Sequence, residues 1–265
     1  MMRFFIEGVG LLGPGLDNWS ASRAALAGNA AYSFAPTNMR ASDMLPAAER
    51  RRAGVPIKLA LAVAQEAFLQ TGRDAKAAAT VFTSSEGDCD NIHAINGILA
   101  TAPHEMSPTR FHNSVHNAAA GYWCIAAKSL ELSTSLCAYD ASFAAGLLEA
   151  STQVTVDNSI VALIAYDHPY PDPMHTVRPI TAAFGMALIL TPQKNERSLA
   201  AIEVGFISGK TDETKMKDEG LEALRWGVPA ARGLPLLSAL ASGNSTQINI
   251  AYFDSNHLNI RVTPC

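Results

Sequence analysis

Residues 135–150, "SLCAYDASFAAGLLEA", read as a short apolar strand that runs through a sharp turn into a helix rich in small residues. An elbow of this kind exposes one side chain at the start of a helix, where acyl-transfer enzymes place a nucleophile. Here the elbow carries Asp140. The chemistry of the chain depends on what this carboxylate does.

Composition restricts the class of protein. With 265 residues, 48% of them hydrophobic and 17% charged, the chain can form a sizeable core. Its net charge of -4, without a basic stripe, argues against nucleic-acid binding. The apolar runs at 160–166 and 186–190 are far shorter than the ~20 residues of a membrane helix, and the N-terminus is a poor signal peptide. We therefore expect a cytoplasmic protein without membrane contact.

Strand and helix patterns alternate along the chain, which indicates an α/β architecture. Strands are predicted at 3–13, 77–85, the run before the elbow, 159–166, 184–192, the start of 200–220, and a hairpin at 246–264 that turns at Asp254 to His257. Helices are predicted at 17–29 (with Asp17 as the cap), 56–72, 91–100, 118–130, 234–242, and after the elbow. Residues 103–117 are expected to form an irregular loop.

Five segments taken in order resemble the N-terminal half of a β-ketoacyl synthase. They are "FTSSEGDCDNIHAI", "SPTRFHNSVHNAAAGYWCIAAK" with the family's N-x-x-A-G at Asn117 to Gly121, "STSLCAYDASFAAGLLEA", "VDNSIVALIAYDH" and "FGMALILTP". The resemblance covers about residues 1–192. It implies a thiolase-like α-β-α layered fold, the N-terminal half only, with a short β-rich C-terminal addition. We expect a ketosynthase-like part at 1–199 and an extension at 200–265 packed on the same domain.

In the register of this resemblance, the family's catalytic cysteine falls on Asp140. A carboxylate is a feeble nucleophile toward a thioester, so a structural role as a helix-start cap is the favoured interpretation. Some electrostatic task, such as assisting decarboxylation, stays open. Cys137 lies three residues earlier, an odd offset that turns its side chain to the opposite face of a strand, so we expect it to be buried core. A displaced nucleophile at Cys137 is the alternative.

The histidines or asparagine that the family uses to bind and decarboxylate the extender come from a C-terminal half. In this chain His257 is the only histidine after residue 192. The resemblance therefore implies a non-catalytic chain-length-factor subunit, similar to those of type II polyketide and aryl polyene synthesis. No cofactor and no metal are expected. The alternative is an active acyl-transferring or decarboxylating enzyme that uses Cys137 or Asp140.

The same resemblance implies partners and contact residues. The partners are a full-length ketosynthase, in a heterodimer that shapes the acyl tunnel, and an acyl carrier protein with a phosphopantetheine-linked chain that docks mainly on the ketosynthase. Tunnel or interface candidates are Arg110, Phe111, His112, Asn117, Tyr122, Trp123 and Ile125. Tyr122, Trp123 and Ile125 could equally be ordinary core. The basic run Arg50 to Arg52 is interpreted as a solvated helix start rather than a docking site.

Overall fold

A mixed sheet of eight strands organises the residues that this computed structural model describes, 1–39, 42–101 and 105–265. The strands are β1 (Met2–Leu12), β2 (Ala79–Thr83), β3 (Ser133–Leu136), β4 (Val161–Asp167), β5 (Phe184–Thr191), β6 (Ala200–Ile207), β7 (Thr246–Ala251) and β8 (His257–Pro264). They are arranged in the order β3-β2-β4-β5-β1-β6-β8-β7.

Helices connect the strands and cover the sheet. They are α1 (Trp19–Leu26), α2 (Ala47–Arg52), α3 (Val55–Thr71), α4 (Cys89–Thr101), α5 (Pro108–His112), α6 (Ala118–Ala127), α7 (Ser142–Val156), α8 (Met174–Val177), α9 (Glu219–Gly227) and α10 (Leu234–Ser242). Short 3₁₀ turns lie at Ala75–Ala77, Tyr139–Ala141 and Pro229–Gly233. None of the helices in the described ranges has the length and apolar character required to cross a membrane.

Strands β3, β2 and β4 run parallel, and the other pairings in the sheet are antiparallel. Parallel strands need crossover connections. Helices α4 to α6 supply the one between β2 and β3, and α7 leads from β3 to β4, which lies on the other side of β2. The carboxyl ends of β2, β3 and β4 therefore meet at one edge of the sheet, beside the elbow. Strands β6, β8 and β7 extend the same sheet beyond β1.

Two apolar layers fill the space between the sheet and its helices. One contains α7, α1 and α10, and the other contains α3 and α6. Helix α3 lies very close to β1, because a Cβ at Gly10 would come within 1.8 Å of the carbonyl oxygen of Val63. Only glycine permits that approach. The central strands β2, β4 and β5 are buried on both faces, as the continuous apolar runs of β4 and β5 predict, whereas β6 and β7 alternate buried and partly exposed residues.

The predicted strands and helices are present, with two local corrections. Asn18, not Asp17, caps α1, because its Oδ1 accepts the backbone N–H of Ala21 at 2.8 Å. The predicted loop 103–117 contains the short helix α5, whose first residue is Pro108, a position that proline favours. Residues 103 and 104 of that loop lie outside the described ranges.

Candidate functional site

The elbow forms between β3 and α7. The chain leaves β3 at Leu136, makes a 3₁₀ turn, and enters α7 at Ser142. Tyr139 has φ +53°, a left-handed conformation that costs a non-glycine residue about 1 kcal/mol. The Ser142 hydroxyl holds the turn by donating to the Tyr139 carbonyl at 2.7 Å and accepting the Ala138 N–H at 3.0 Å. A buried serine, rather than the acidic residue, therefore fixes the elbow.

Asp140 stands on this turn with its side chain 53% exposed and paired to an arginine. Arg178 Nη2 donates to Asp140 Oδ1 at 3.0 Å, and the Arg178 guanidinium lies 3.4 Å from the centre of the Tyr139 ring. Burial opposes the charge of Arg178, but Tyr170 and Asp140 outweigh it and raise the arginine pKa. The expectation that Asp140 caps the helix is wrong: α7 has no side-chain cap, and the carboxylate points to Arg178 instead.

Cys137 lies at the end of β3 and is exposed, so the expectation of a buried core thiol is also wrong. The reason is that β3 is an edge strand, without a strand on its outer side in the described part of the chain. The Cys137 sulfur lies 3.7 Å and 3.8 Å from the ring nitrogens Nδ1 and Nε2 of His116. Desolvation, together with the carboxylates Asp167 and Glu86, raises the Cys137 pKa to about 11. The thiol is therefore protonated at neutral pH and not primed as a thiolate.

A buried carboxylate beneath the elbow escaped the sequence prediction. Asp167, at the end of β4, accepts bonds at Oδ1 from the Ser85 N–H (2.8 Å), the Ser85 hydroxyl (2.7 Å) and the Ser84 hydroxyl (3.3 Å). Its Oδ2 accepts the Ala230 N–H at 2.7 Å. Burial raises the Asp167 pKa to about 6, although these hydrogen bonds oppose the shift. The signal in the sequence was an Asp after one buried strand and a Ser pair after its parallel neighbour.

A chain of hydrogen bonds joins this buried carboxylate to the exposed one. The Ser85 hydroxyl donates to Asp167 and lies 3.0 Å from the Tyr170 hydroxyl, which accepts from Arg178 Nε at 3.3 Å. Arg178 then reaches Asp140. The arrangement binds the elbow to the strand ends of the sheet.

Two of the residues expected to face a partner are core residues of this chain. Tyr122 and Trp123 are 2% and 0% exposed. The Trp123 ring stacks on Phe68 of α3 at 5.5 Å between centroids, and the Tyr122 hydroxyl donates to Asn113 Oδ1 at 3.0 Å. Helix α6 turns that face toward α3, so the alternative that these two residues are ordinary core of this chain holds. Ile125, on the opposite face, is 47% exposed.

The remaining candidates lie on the surface. Arg110, Phe111 and His112, in α5, and Asn117, before α6, are exposed. Arg110 lines a cavity of about 420 Å³ together with Asp88 and Asn91, whereas Phe111, at 69% exposure, projects from the surface. Within the described residues, no cluster of three or more His, Cys, Asp and Glu side chains could hold a metal ion.

The outer side of β3 is a further feature of this region. Among the residues that the structure describes, strand β3 bonds to β2 alone, and Leu130 and Leu132 just before it are 98% and 68% exposed. A cavity of about 340 Å³ lies beside it, between α6 and the strand. We call Leu130, Leu132, β3 and Ile125 the β3 edge surface. It combines unpaired backbone groups with exposed apolar side chains.

Comparison with known proteins identifies relatives of this fold. Residues 18–250 match the family model described as beta-ketoacyl synthase, N-terminal domain. The chain resembles "Ketosynthase (ApeO) in Complex with its Chain Length Factor (ApeC) from Xenorhabdus doucetiae", with 22% identity and a TM-score of 0.74 over 98% of this chain and 100% of that chain. It also resembles "The ishigamide ketosynthase/chain length factor", with 14% identity and a TM-score of 0.74 over 100% of this chain and 99% of that chain.

A third structure contains an acyl carrier protein, "AntDE:AntF (apo): type II PKS acyl-carrier protein in complex with its ketosynthase bound to the hexaketide". It is 10% identical, with a TM-score of 0.75 over 100% of this chain and 99% of that chain. No curated protein matches the chain. The structural matches confirm the predicted thiolase-like layered fold.

Proposed function

Because this chain belongs to the family of β-ketoacyl synthase N-terminal domains, we propose that it is a non-catalytic subunit of the chain-length-factor type. It pairs with an active ketosynthase and helps to shape the acyl tunnel in type II polyketide synthesis, with aryl polyene synthesis as the favoured branch. The similarity to a ketosynthase in complex with its chain length factor supports this assignment. An acyl carrier protein delivers the growing chain mainly to the partner.

The observation that carries the proposal is the pairing of Asp140 with Arg178 at the elbow. A ketosynthase needs a group there that attacks a thioester and leaves again, which a thiolate does and a carboxylate does not. The nearby thiol does not replace it. With a pKa of about 11, only about one Cys137 in ten thousand is a thiolate at pH 7.

The β3 edge surface supports pairing with a second subunit. An open edge strand presents unpaired N–H and C=O groups that another strand completes. Leu130 and Leu132 lie just before this edge and expose most of their apolar surface to solvent. Burying them against a partner gains about 25 cal/mol for each Å² removed from water. Arg110, Phe111, His112 and Asn117 lie on exposed segments from which they can contribute to the tunnel wall or the interface.

An active enzyme is the second candidate, and the contact between Cys137 and His116 favours it. An imidazole at 3.7 Å from a thiol is a potential general base. The raised pKa of Cys137 argues against this, because a primed cysteine has a lowered pKa. Electrostatic assistance to the partner's decarboxylation by Asp140 also remains a candidate role.

Coexpression with a full-length ketosynthase tests the proposal. We expect a heterodimer by size exclusion and mass spectrometry, and chain-elongation activity that survives Cys137→Ser and Asp140→Asn. Leu130→Glu should abolish the heterodimer, whereas the matched control Leu69→Glu, at a leucine 74% exposed on α3, should leave it intact. Loss of turnover in Cys137→Ser with unchanged assembly, or an acyl adduct on Cys137, would support the active enzyme instead.

A further inference from the structure

A buried arginine with unmet hydrogen-bonding capacity lies next to the elbow. Arg232, in the 3₁₀ turn Pro229–Gly233, is 9% exposed. Its Nη1 makes one long contact of 3.4 Å with Glu213, and its buried Nε has no partner among the described residues. Buried donors without acceptors are rare in proteins and require an explanation.

The neighbouring arginines contrast with Arg232. Arg225 donates to both oxygens of Glu222 at 2.8 Å and to Glu213 at 3.0 Å. Arg178 is occupied by Asp140 and Tyr170. Burial and the nearby Arg225 lower the pKa of Arg232, and the carboxylates of Glu213, Asp140 and Glu222 offset this only in part. Of these three arginines, Arg232 is the one with unused capacity for an anion.

Two cavities of about 200 Å³ each adjoin this arginine. Asp140, Trp226 and Arg232 line both of them. The Trp226 ring is 65% exposed, and the Arg232 guanidinium lies 4.4 Å from its centre. Tyr252 lines the second cavity. A guanidinium next to an exposed flat ring suits a carboxylate attached to a planar apolar group, since the arginine binds the charge and the ring covers the plane.

We propose that the groove between Asp140, Trp226 and Arg232 binds a small carboxylate joined to a flat apolar group. Arg232 donates to the carboxylate, and Trp226 stacks on the flat group. Asp140 and Glu213 limit the affinity by repulsion, and the salt bridge to Arg178 weakens that effect for Asp140. This site goes beyond the role as a partner subunit, since its residues all belong to this chain and its occupancy requires no condensation step.

Binding to the purified full chain tests the site. The probes are benzoate, which has a charge and a ring; benzyl alcohol, which has the ring only; and inorganic phosphate, which has the charge only. Calorimetry should show that benzoate binds and that the other two bind at least about tenfold more weakly. Benzoate should also change the fluorescence of Trp226 and not that of Trp226→Phe, because Trp19 and Trp123 are buried.

Substitutions identify the side chains that bind benzoate. Arg232→Gln should weaken benzoate binding about tenfold or more, as expected for a lost charge-assisted hydrogen bond. Arg261→Gln, at an exposed arginine paired with Glu203, is the matched control and should bind as the unmodified chain does. Asp140→Asn should tighten binding severalfold, because it removes a negative charge from both cavities.

Trp226→Ala is a second test of the site that does not require Arg232→Gln to fold, because it removes an exposed side chain. It should also weaken binding about tenfold. Absence of benzoate binding, equal binding of phosphate and benzoate, or unchanged affinity in both Arg232→Gln and Trp226→Ala would overturn the proposal. None of these results depends on whether the chain pairs with a ketosynthase.

Discussion

Asp167 should make the stability of this protein fall as the pH rises from 4 to 7. Its pKa is raised from 3.8 to about 6 in the folded state, because the carboxyl is completely buried without a cationic partner. Between these two values the folded state holds a proton that the unfolded state has released. The free energy of unfolding therefore decreases as the pH rises through this window.

The size of the effect follows from the shift. At about 1.4 kcal/mol per pKa unit, the full contribution is about 3 kcal/mol, of which about 2 to 3 kcal/mol is lost between pH 4 and pH 7. Many other groups titrate in this range, so the unmodified chain must be compared with Asp167→Asn. The asparagine keeps the shape of the side chain and does not ionise, so the difference between the two proteins isolates Asp167.

The assay is urea unfolding at half-unit steps of pH, with the surface variant Asp157→Asn as the control for the loss of one carboxylate. We expect the stability of the unmodified chain relative to Asp167→Asn to decrease by about 2 to 3 kcal/mol from pH 4 to pH 7. A difference that stays flat, or one that increases with pH, would refute the reasoning. In that case the hydrogen bonds from Ser85, Ser84 and Ala230 would outweigh burial.

Three further predictions test the packing, a buried ion pair and the thiol. Gly10→Ala should lower the free energy of unfolding by about 3 kcal/mol or prevent folding, because its Cβ would meet the backbone of Val63. The control Gly97→Ala, with open space around its Cβ, should be neutral or stabilising by up to about 1 kcal/mol in the same urea assay. Arg73→Met should lower the free energy of unfolding in urea by about 3 kcal/mol, because it leaves the buried Glu7 without the partner that donates to it at 2.7 Å. A loss below about 1 kcal/mol would show that Asn195, whose side-chain amide also donates to Glu7, suffices. Iodoacetamide should alkylate Cys137 slowly at pH 7, and the rate should rise about tenfold per pH unit up to pH 10. Mass spectrometry follows the reaction, with Cys137→Ser as the control. A rate that levels off near pH 8 would contradict the raised pKa.

The elements of the fold were predictable because local patterns specify them. Strands β4 and β5 are continuous apolar runs, and α3 has a proline in its first turn and Gly72 at its end in the left-handed conformation, with φ +60°. The burial of Tyr122 and Trp123 was harder to predict from the sequence. An almost uniformly apolar helix such as α6 has no polar face to show which side points inward, so only its packing on α3 decides the matter.

The chemistry of the site depends on contacts between distant segments. Asp140 and Arg178 are 38 residues apart, and Asp167 meets the Ala230 N–H across 63 residues. No periodicity or local motif encodes such pairs. The exposure of Cys137 had the same origin, because the sequence predicts a strand before the elbow and does not show that this strand lies at the edge of the sheet.

The free energies of the contacts at the elbow also indicate why a carboxylate can occupy it. A half-exposed pair such as Asp140 and Arg178 contributes at most about 1 kcal/mol. The turn itself depends on the buried Ser142, whose hydroxyl bonds to the backbone of Ala138 and Tyr139, the two residues before Asp140. Position 140 is therefore free of a large structural requirement, and the elbow keeps its shape whichever polar side chain it carries. Loss of a nucleophile there would leave the fold and the β3 edge surface intact, which is what a subunit retained for assembly requires.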